Sequence, residues 1–193
     1  GVFTVLRNLF STSDGGHPYG NLFQNSDGLL YGMNRTGGAG GAGTAFKITT
    51  AGAFTVLHSF LNDTEGGTPN AGFIKGNDGN LYALLSLGGS LTGGTAIKMT
   101  IAGAVTTLVN FNGAAKGNAP SESLTKGKDS AYYGTTSGGG AYGYGTIFKI
   151  CGGSTTVLKS FNKNTDGSVP LGSLIQAADG NFYGMTSRSE EHT

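Results

Sequence analysis

The chain has no tryptophan, one cysteine, four prolines and three histidines in 193 residues, and only 12% of its residues are charged. Each scarcity removes a class of function. Cys151 has no partner for an internal disulfide, and a lone small side chain near a turn is a poor nucleophile candidate. His17, His58 and His192 stand apart from any nucleophile or metal-ligand set, so no catalytic or metal-binding residues are expected. The net charge is +1 and the nine lysines are scattered singly. No basic cluster interleaves with aromatics, which argues against a nucleic-acid partner. No apolar run approaches the ~18 residues of a membrane helix, and no signal-peptide pattern occurs in these residues.

What is abundant is glycine, 37 residues, well above the usual level of about 7%. Disorder fits such a composition poorly here, because 37% of the residues are hydrophobic and Phe and Tyr recur at fixed places. Internal repetition explains both. Pro18, Pro69, Pro120 and Pro170 are spaced by 51, 51 and 50 residues. The same spacings link Tyr31, Tyr82, Tyr133 and Tyr183; Asp27, Asp78, Asp129 and Asp179; and Leu6, Leu57, Leu108 and Leu158. Phe46-Lys47, Ile97-Lys98 and Phe148-Lys149 share the period. A repeat of this length is one supersecondary unit that needs neighbours to bury its apolar faces.

Each unit reads as four short strands. The first follows the proline, as in Gly20–Gln24 or Gly172–Gln176. An Asp-Gly turn (Asp27-Gly28, Asp78-Gly79, Asp179-Gly180) leads to the second, Leu29–Met33 in the first copy. A glycine-rich loop precedes the third, Gly43–Ile48, in which Phe46 and Ile48 share one face and Lys47 takes the other. The fourth is Phe54–Phe60, followed by a polar loop through Gly66-Gly67. No segment has a helical period. Four antiparallel strands in roughly fifty residues is the arithmetic of a β-propeller blade of kelch-like size. The fold class expected is therefore all-β, a β-propeller built from four-stranded blades, with a β-solenoid as the alternative. Gly32, Ala83, Gly134 and Gly184 share one strand position, where a missing side chain is expected to let another backbone approach.

Several stretches carry a family likeness: Tyr133–Gly140, Gly143–Ile150, Thr156–Phe161, Asp166–Pro170 and Asp179–Gly184. Together they resemble the GloVer tandem repeat of bacterial surface proteins with varied C-terminal anchors. The likeness covers residues 1–187, with Ala83-Leu84-Leu85 departing from the Gly-Thr-Thr of the third copy. It implies a secreted or cell-surface propeller and transfers no catalytic residue. By register, residues 1–187 comprise the last strand of one blade, three full blades and half of a further blade. Arg188-Ser189-Glu190-Glu191-His192-Thr193 breaks the glycine pattern. These six match the translation of a sequencing adapter (AGA TCG GAA GAG CAC ACG), so residues 188–193 are expected to be a non-native tail.

The remaining candidates are weak. Gly38–Gly43 matches a dinucleotide-binding G-x-G-x-x-G, but a strand follows it where that motif needs a helix, so no cofactor is expected. The Asp-Gly turns supply one carboxylate each, too few for calcium. Asp14, Glu65, Lys116 and Asp166 occupy equivalent loop positions, and a lysine among them argues against a repeated metal site; the invariant Gly15, Gly66, Gly117 and Gly167 that follow fit a turn with positive φ. His58 aligns with Arg7, Val109 and Lys159, which suggests an exposed, tolerant position. Lys47, Lys98 and Lys149 could form a cationic ring for an acidic glycan, although solvated strand faces are commoner. Tyr31, Tyr82, Tyr133 and Tyr183 could stack on sugars, although interior packing is commoner. The function expected is a structural or binding module whose partner is a surface glycan or protein. A polysaccharide hydrolase or lyase with its site in other blades is the alternative. The visible copies do not break symmetry with the carboxylates or histidines an enzyme needs.

Overall fold

A computed structural model of the chain describes residues 3–120 and 122–188. The first copy forms β1 (Gly16–Pro18), β2 (Phe23–Gln24), β3 (Leu30–Thr36), β4 (Thr44–Ile48) and β5 (Phe54–Ser59). The second forms β6 (Gly67–Pro69), β7 (Ile74–Lys75), β8 (Leu81–Leu87), β9 (Thr95–Met99) and β10 (Val105–Asn110). The third forms β11 (Asn118–Pro120), β12 (Thr125–Lys126), β13 (Tyr132–Gly138), β14 (Thr146–Cys151) and β15 (Ser154–Ser160). One helical turn, α1 (Lys163–Asp166), then precedes a hairpin of β16 (Ser168–Gln176) and β17 (Phe182–Arg188). The protein is all-β, with each copy its own antiparallel sheet.

The first strand differs from its expected form. In the first three copies it is split, with one piece ending on the proline and the other starting five residues later, and both pair with the second strand; in the last copy it is the single strand β16, with a register shift between Leu171 and Ile175. The residue before each proline is left-handed. His17, Thr68, Ala119 and Val169 have φ of 54°, 58°, 50° and 52°. Such a conformation costs about 1–3 kcal/mol outside glycine, so something must hold it. The backbone N–H of Thr68 donates to Ala42 O at 2.7 Å, that of Ala119 to Gly93 O at 2.9 Å, and that of Val169 to Tyr144 O at 3.1 Å. Each bond joins one copy to the glycine-rich loop of the copy before it.

The shared glycine position also works differently from expectation. Gly32 pairs with Phe46, Gly134 with Phe148, and Ala83 with Ile97. A Cβ at Gly32 would lie 2.6 Å from the Phe46 ring, and one at Gly134 2.6 Å from the Phe148 ring. The small residue therefore makes room for a cross-strand aromatic of its own sheet. Where the partner is isoleucine, alanine fits. Close backbone approach occurs elsewhere: a Cβ on Gly20 would meet Ala71 C and Gly72 N at 2.2 Å, and one on Gly72 would meet Asn21 O at 2.4 Å. The first-strand edges of neighbouring sheets thus touch backbone to backbone.

The recurring Leu57, Leu108 and Leu158 are bulge residues. The ladder jumps from His58 to Val56, from Val109 to Thr107 and from Lys159 to Val157. A bulge re-aims the residue beside it, here positions 58, 109 and 159. The Leu57 carbonyl seats against Gly103 of the next copy, as the Leu6 carbonyl seats against Gly52. Residues 3–10, expected as a closing strand, carry no ladder hydrogen bonds, yet Leu6 occupies the place of a fourth-strand leucine against the first sheet.

The core lies between the sheets. Tyr31, Met33 and Ala45 of the first sheet pack with Leu81, Ala83, Ile97 and Met99 of the second. Tyr82, Leu84, Ala96 and Phe111 of the second pack with Phe148, Ile150 and Leu124 of the third. Tyr133 meets Leu174, with Phe182 packed alongside. Alternate residues of the second strands face opposite neighbours, the period-two pattern of a sheet covered on both sides.

Candidate functional site

Two recurring polar clusters hold most of the residues singled out from the sequence. The first lies at the Asp-Gly turns. Asp27, Asp78, Asp129 and Asp179 each turn one carboxylate oxygen to the backbone N–H two residues on, at 2.9–3.2 Å. The other oxygen accepts from the tyrosine hydroxyl four residues on: Tyr31 at 2.9 Å, Tyr82 at 3.0 Å, Tyr133 at 2.8 Å and Tyr183 at 2.8 Å. The side chain thus closes an Asx turn and ties the following strand to it. The third copy has Ser130 in the glycine's place with φ of 64°. Sheet register sets Lys47 beside Tyr31, Lys98 beside Tyr82 and Lys149 beside Tyr133. Lysines and tyrosines that were separate candidates in the sequence therefore belong to one cluster. In the third copy Lys149 Nζ reaches Asp129 at 2.8 Å and sits 5.6 Å from the Tyr133 ring centre.

The electrostatics follow. The Lys149 ammonium, then the Tyr133 hydroxyl, hold the Asp129 carboxyl down to about 2. Asp129 in turn raises Lys149. Asp27 is lowered chiefly by the Leu29 N–H and Asp78 chiefly by the Asn80 side chain. Burial, then the Asp27 hydrogen bond, push the Tyr31 hydroxyl up to about 12. Burial raises Tyr82 as well. These hydroxyls stay protonated donors to carboxylates that stay ionised. The three lysines are half-buried, and Lys149 is held by Asp129. Tyr82 stacks on Tyr132 of the next copy with centroids 4.3 Å apart, and Tyr133 on Phe182 at 4.0 Å. Tyr31, Tyr82 and Tyr133 are consequently buried and closed to a sugar, while Tyr183 is 53% exposed.

The second cluster lies at the opposite end of the sheets. Asp14 pairs with Arg7 at 2.6 Å, Glu65 with His58 at 2.8 Å and Asp166 with Lys159 at 2.8 Å. In each pair the base precedes the acid by seven residues. In the third copy both charges are replaced together: Val109 stands for the base and Lys116 for the acid. His58 is therefore half-buried and paired, which corrects the exposed, tolerant position expected of it. A comparison of the copies at spacing seven carries this signal, because the charges come and go as a pair. The backbone carbonyl of the acidic position is held as well. Thr44 Oγ1 donates to Asp14 O at 2.7 Å, Thr95 Oγ1 to Glu65 O at 2.7 Å and Thr146 Oγ1 to Lys116 O at 3.2 Å. The following Gly15, Gly66, Gly117 and Gly167 have φ between 77° and 88°, as the turn requires. A carbonyl role tolerates lysine where a metal site would not.

Among the described residues no group of three His, Cys, Asp or Glu side chains converges as a metal site would need. No helix there is long and apolar enough to cross a membrane. Cys151 is exposed at the end of β14, opposite Ser154 in a hairpin. Gly38–Gly43 forms a loop bridge, with Gly37 N–H donating to Gly41 O and Gly43 N–H to Gly37 O, and it leads into a strand. Of the expected tail, Arg188 ends β17 and residues 189–193 lie outside the described residues.

Sheet, turn and junction repeated in step define a tandem-repeat protein of stacked antiparallel sheets. The Gloeobacter/Verrucomicrobia repeat matches residues 1–193, and the chain belongs to that family. The sequence likeness to the GloVer repeat pointed to the same family. No curated protein matches the chain.

Proposed function

We propose that this chain is a β-propeller module exported to the bacterial surface, with a structural or binding role. The observation that carries the reading is the recurring junction, in which one backbone hydrogen bond (Thr68 to Ala42, Ala119 to Gly93, Val169 to Tyr144) docks each sheet on a copy of itself. A unit that recognises its own kind extends into an array, and radial closure of four-stranded units is the propeller solution to open sheet edges. The repeated charged and hydroxyl groups serve turns and junctions within the array, which supports a scaffold presenting its loops over a catalyst.

The test incubates the protein with a panel of neutral and acidic polysaccharides and measures both retention and new reducing or unsaturated ends. Retention without cleavage is expected. Cleavage of any polymer overturns the reading in favour of a hydrolase or lyase. Failure to retain any of these polymers removes the glycan-binding role.

A further inference from the structure

The copies share a fold, so a departure in one copy marks something the fold does not require. The glycine-rich loop of the third copy departs at two places. Tyr142 stands where the first and second copies have Gly40 and Leu91, and Tyr144 where they have Ala42 and Gly93. Tyr142 is 58% exposed and Tyr144 39%. This loop has a neighbour on each side. Gly140 N–H donates to Gly113 O at 2.8 Å, in the segment that leads into the third copy, and Val169 N–H of the last hairpin donates to Tyr144 O at 3.1 Å. Pro170 of that hairpin seats against Gly145, as Pro69 and Pro120 seat against Gly43 and Gly94. The same tip is open in the second copy, which has a full sheet on both sides: Leu91 there is 49% exposed. The two rings therefore project outward from the stack.

The loop that carries them is tied down. Gly139 N–H donates to Gly143 O, Gly143 N–H to Gly140 O and Gly145 N–H to Gly139 O, while Ala141 N–H donates to Ser160 Oγ at 3.2 Å. A tyrosine on a fixed loop offers a large amphipathic face at little cost in conformational entropy. The charges beside the loop depart as well. The segment before it, residues 111–117, carries Lys116 as its one charge, where the other copies have an acid. The segment after it opens at Phe161, whose N–H donates to Gly145 O at 2.9 Å, and continues into α1 with Lys163 exposed. Asp166 of α1 is taken by Lys159. Neither Lys116 nor Lys163 has a carboxylate partner among the described residues. The second copy's loop, by contrast, has Asp63 and Glu65 on one side. The third loop alone is flanked by surplus positive charge on both sides.

We infer that the glycine-rich loop of the third copy is a binding site for an acidic polysaccharide. The assignment deepens the binding-module reading and rests on it. The apolar C–H face of a sugar ring covers Tyr142, and Tyr144 adds a second ring whose hydroxyl stays in water. Carboxylates along the polymer meet the ammonium groups of Lys116 and Lys163 on either side of the tyrosines. The aromatic pair selects a sugar over a bare anion, and the flanking charges select an acidic polymer over a neutral one. Because those charges lie near the surface, their attraction falls as salt rises.

Calorimetric titration of the whole chain with tetragalacturonate, maltotetraose and acetate tests the site. Tetragalacturonate is expected to bind in preference to the other two, and more weakly as salt rises. Tyr142→Leu, which installs the residue of the second copy, weakens that binding about 3- to 10-fold. Lys116→Gln combined with Lys163→Gln also weakens it about 3- to 10-fold and flattens its salt dependence. Lys128→Gln, a loss of one charge at the opposite end of the third copy, leaves it unchanged. A shift of the Tyr142 ring signals on adding tetragalacturonate to wild-type protein gives a readout independent of any variant's folding. Wild-type affinity in Tyr142→Leu or in the double lysine variant overturns the site. So does maltotetraose or acetate binding as tightly as tetragalacturonate, or no binding of tetragalacturonate. Retention of some other polymer, untouched by Tyr142→Leu, would sink this site and leave the binding module standing.

Discussion

Tyr82 and Tyr183 occupy the same place in their copies, and each donates its hydroxyl to the aspartate four residues before it. Their surroundings differ. Tyr82 is buried against Tyr132 of the following sheet. Tyr183 is open, beside Ile175 and Met185, which are 62% and 77% exposed. Around it lies an open depression of about 330 Å³ lined in part by Leu174, Phe182, Tyr183 and Met185. The local turn is identical in both places; the packing comes entirely from the neighbour. Local hydrogen bonds thus shape each unit, and burial between units supplies most of the stabilisation.

The comparison breaks most readily in the core. Phe148 is fully buried at the junction of the second and third sheets, so Phe148→Ala is expected to cost about 3–5 kcal/mol. Met185→Ala on the open face should cost less than about 0.5 kcal/mol. Denaturant titration of both variants measures this, and equal losses would contradict a core placed between sheets. A smaller effect separates the tyrosines. Removing the buried hydroxyl in Tyr82→Phe should cost about 0.5–1.5 kcal/mol, whereas Tyr183→Phe, at the exposed copy of the same bond, stays within about 0.5 kcal/mol of wild type. Equal costs would show that the turn, not the junction, sets the value of the bond.

The smallest effect concerns pH. The Asp129 carboxyl sits near 2 in the fold against 3.8 when free. Its depressed value makes a contribution to stability that is present in full above about pH 4 and lost as pH falls through about 2. Lys149→Met removes the main cause of the depression, so its melting temperature should trail wild type at neutral pH and converge with it near pH 2. A gap that persists unchanged into acid would mean that Lys149 acts through packing.

Much of this was legible before any coordinates. The period placed the second, third and fourth strands of the three full copies and the Asp-Gly turns ahead of the second strands, because alternation and turn chemistry act within a few residues of chain. The split first strand was not legible. It accompanies a left-handed residue before the proline, which propensity disfavours and which, at Thr68, Ala119 and Val169, a hydrogen bond to the loop of another copy holds. The meaning of Gly32 and Gly134 was misread for a related reason. The relevant neighbour is the cross-strand Phe46 or Phe148, and register is a property of paired strands. The ion pairs at spacing seven were present in the letters, but each copy read alone shows only scattered charges.

Periodicity alone is enough to establish an all-β tandem repeat and the register of its copies, since those follow from patterns that recur along the chain. Which face of each sheet is buried and which tyrosines are covered were decided by one sheet meeting the next. The physical reason is that burial and pairing energies belong to surfaces in contact, and those surfaces come from residues about fifty positions apart.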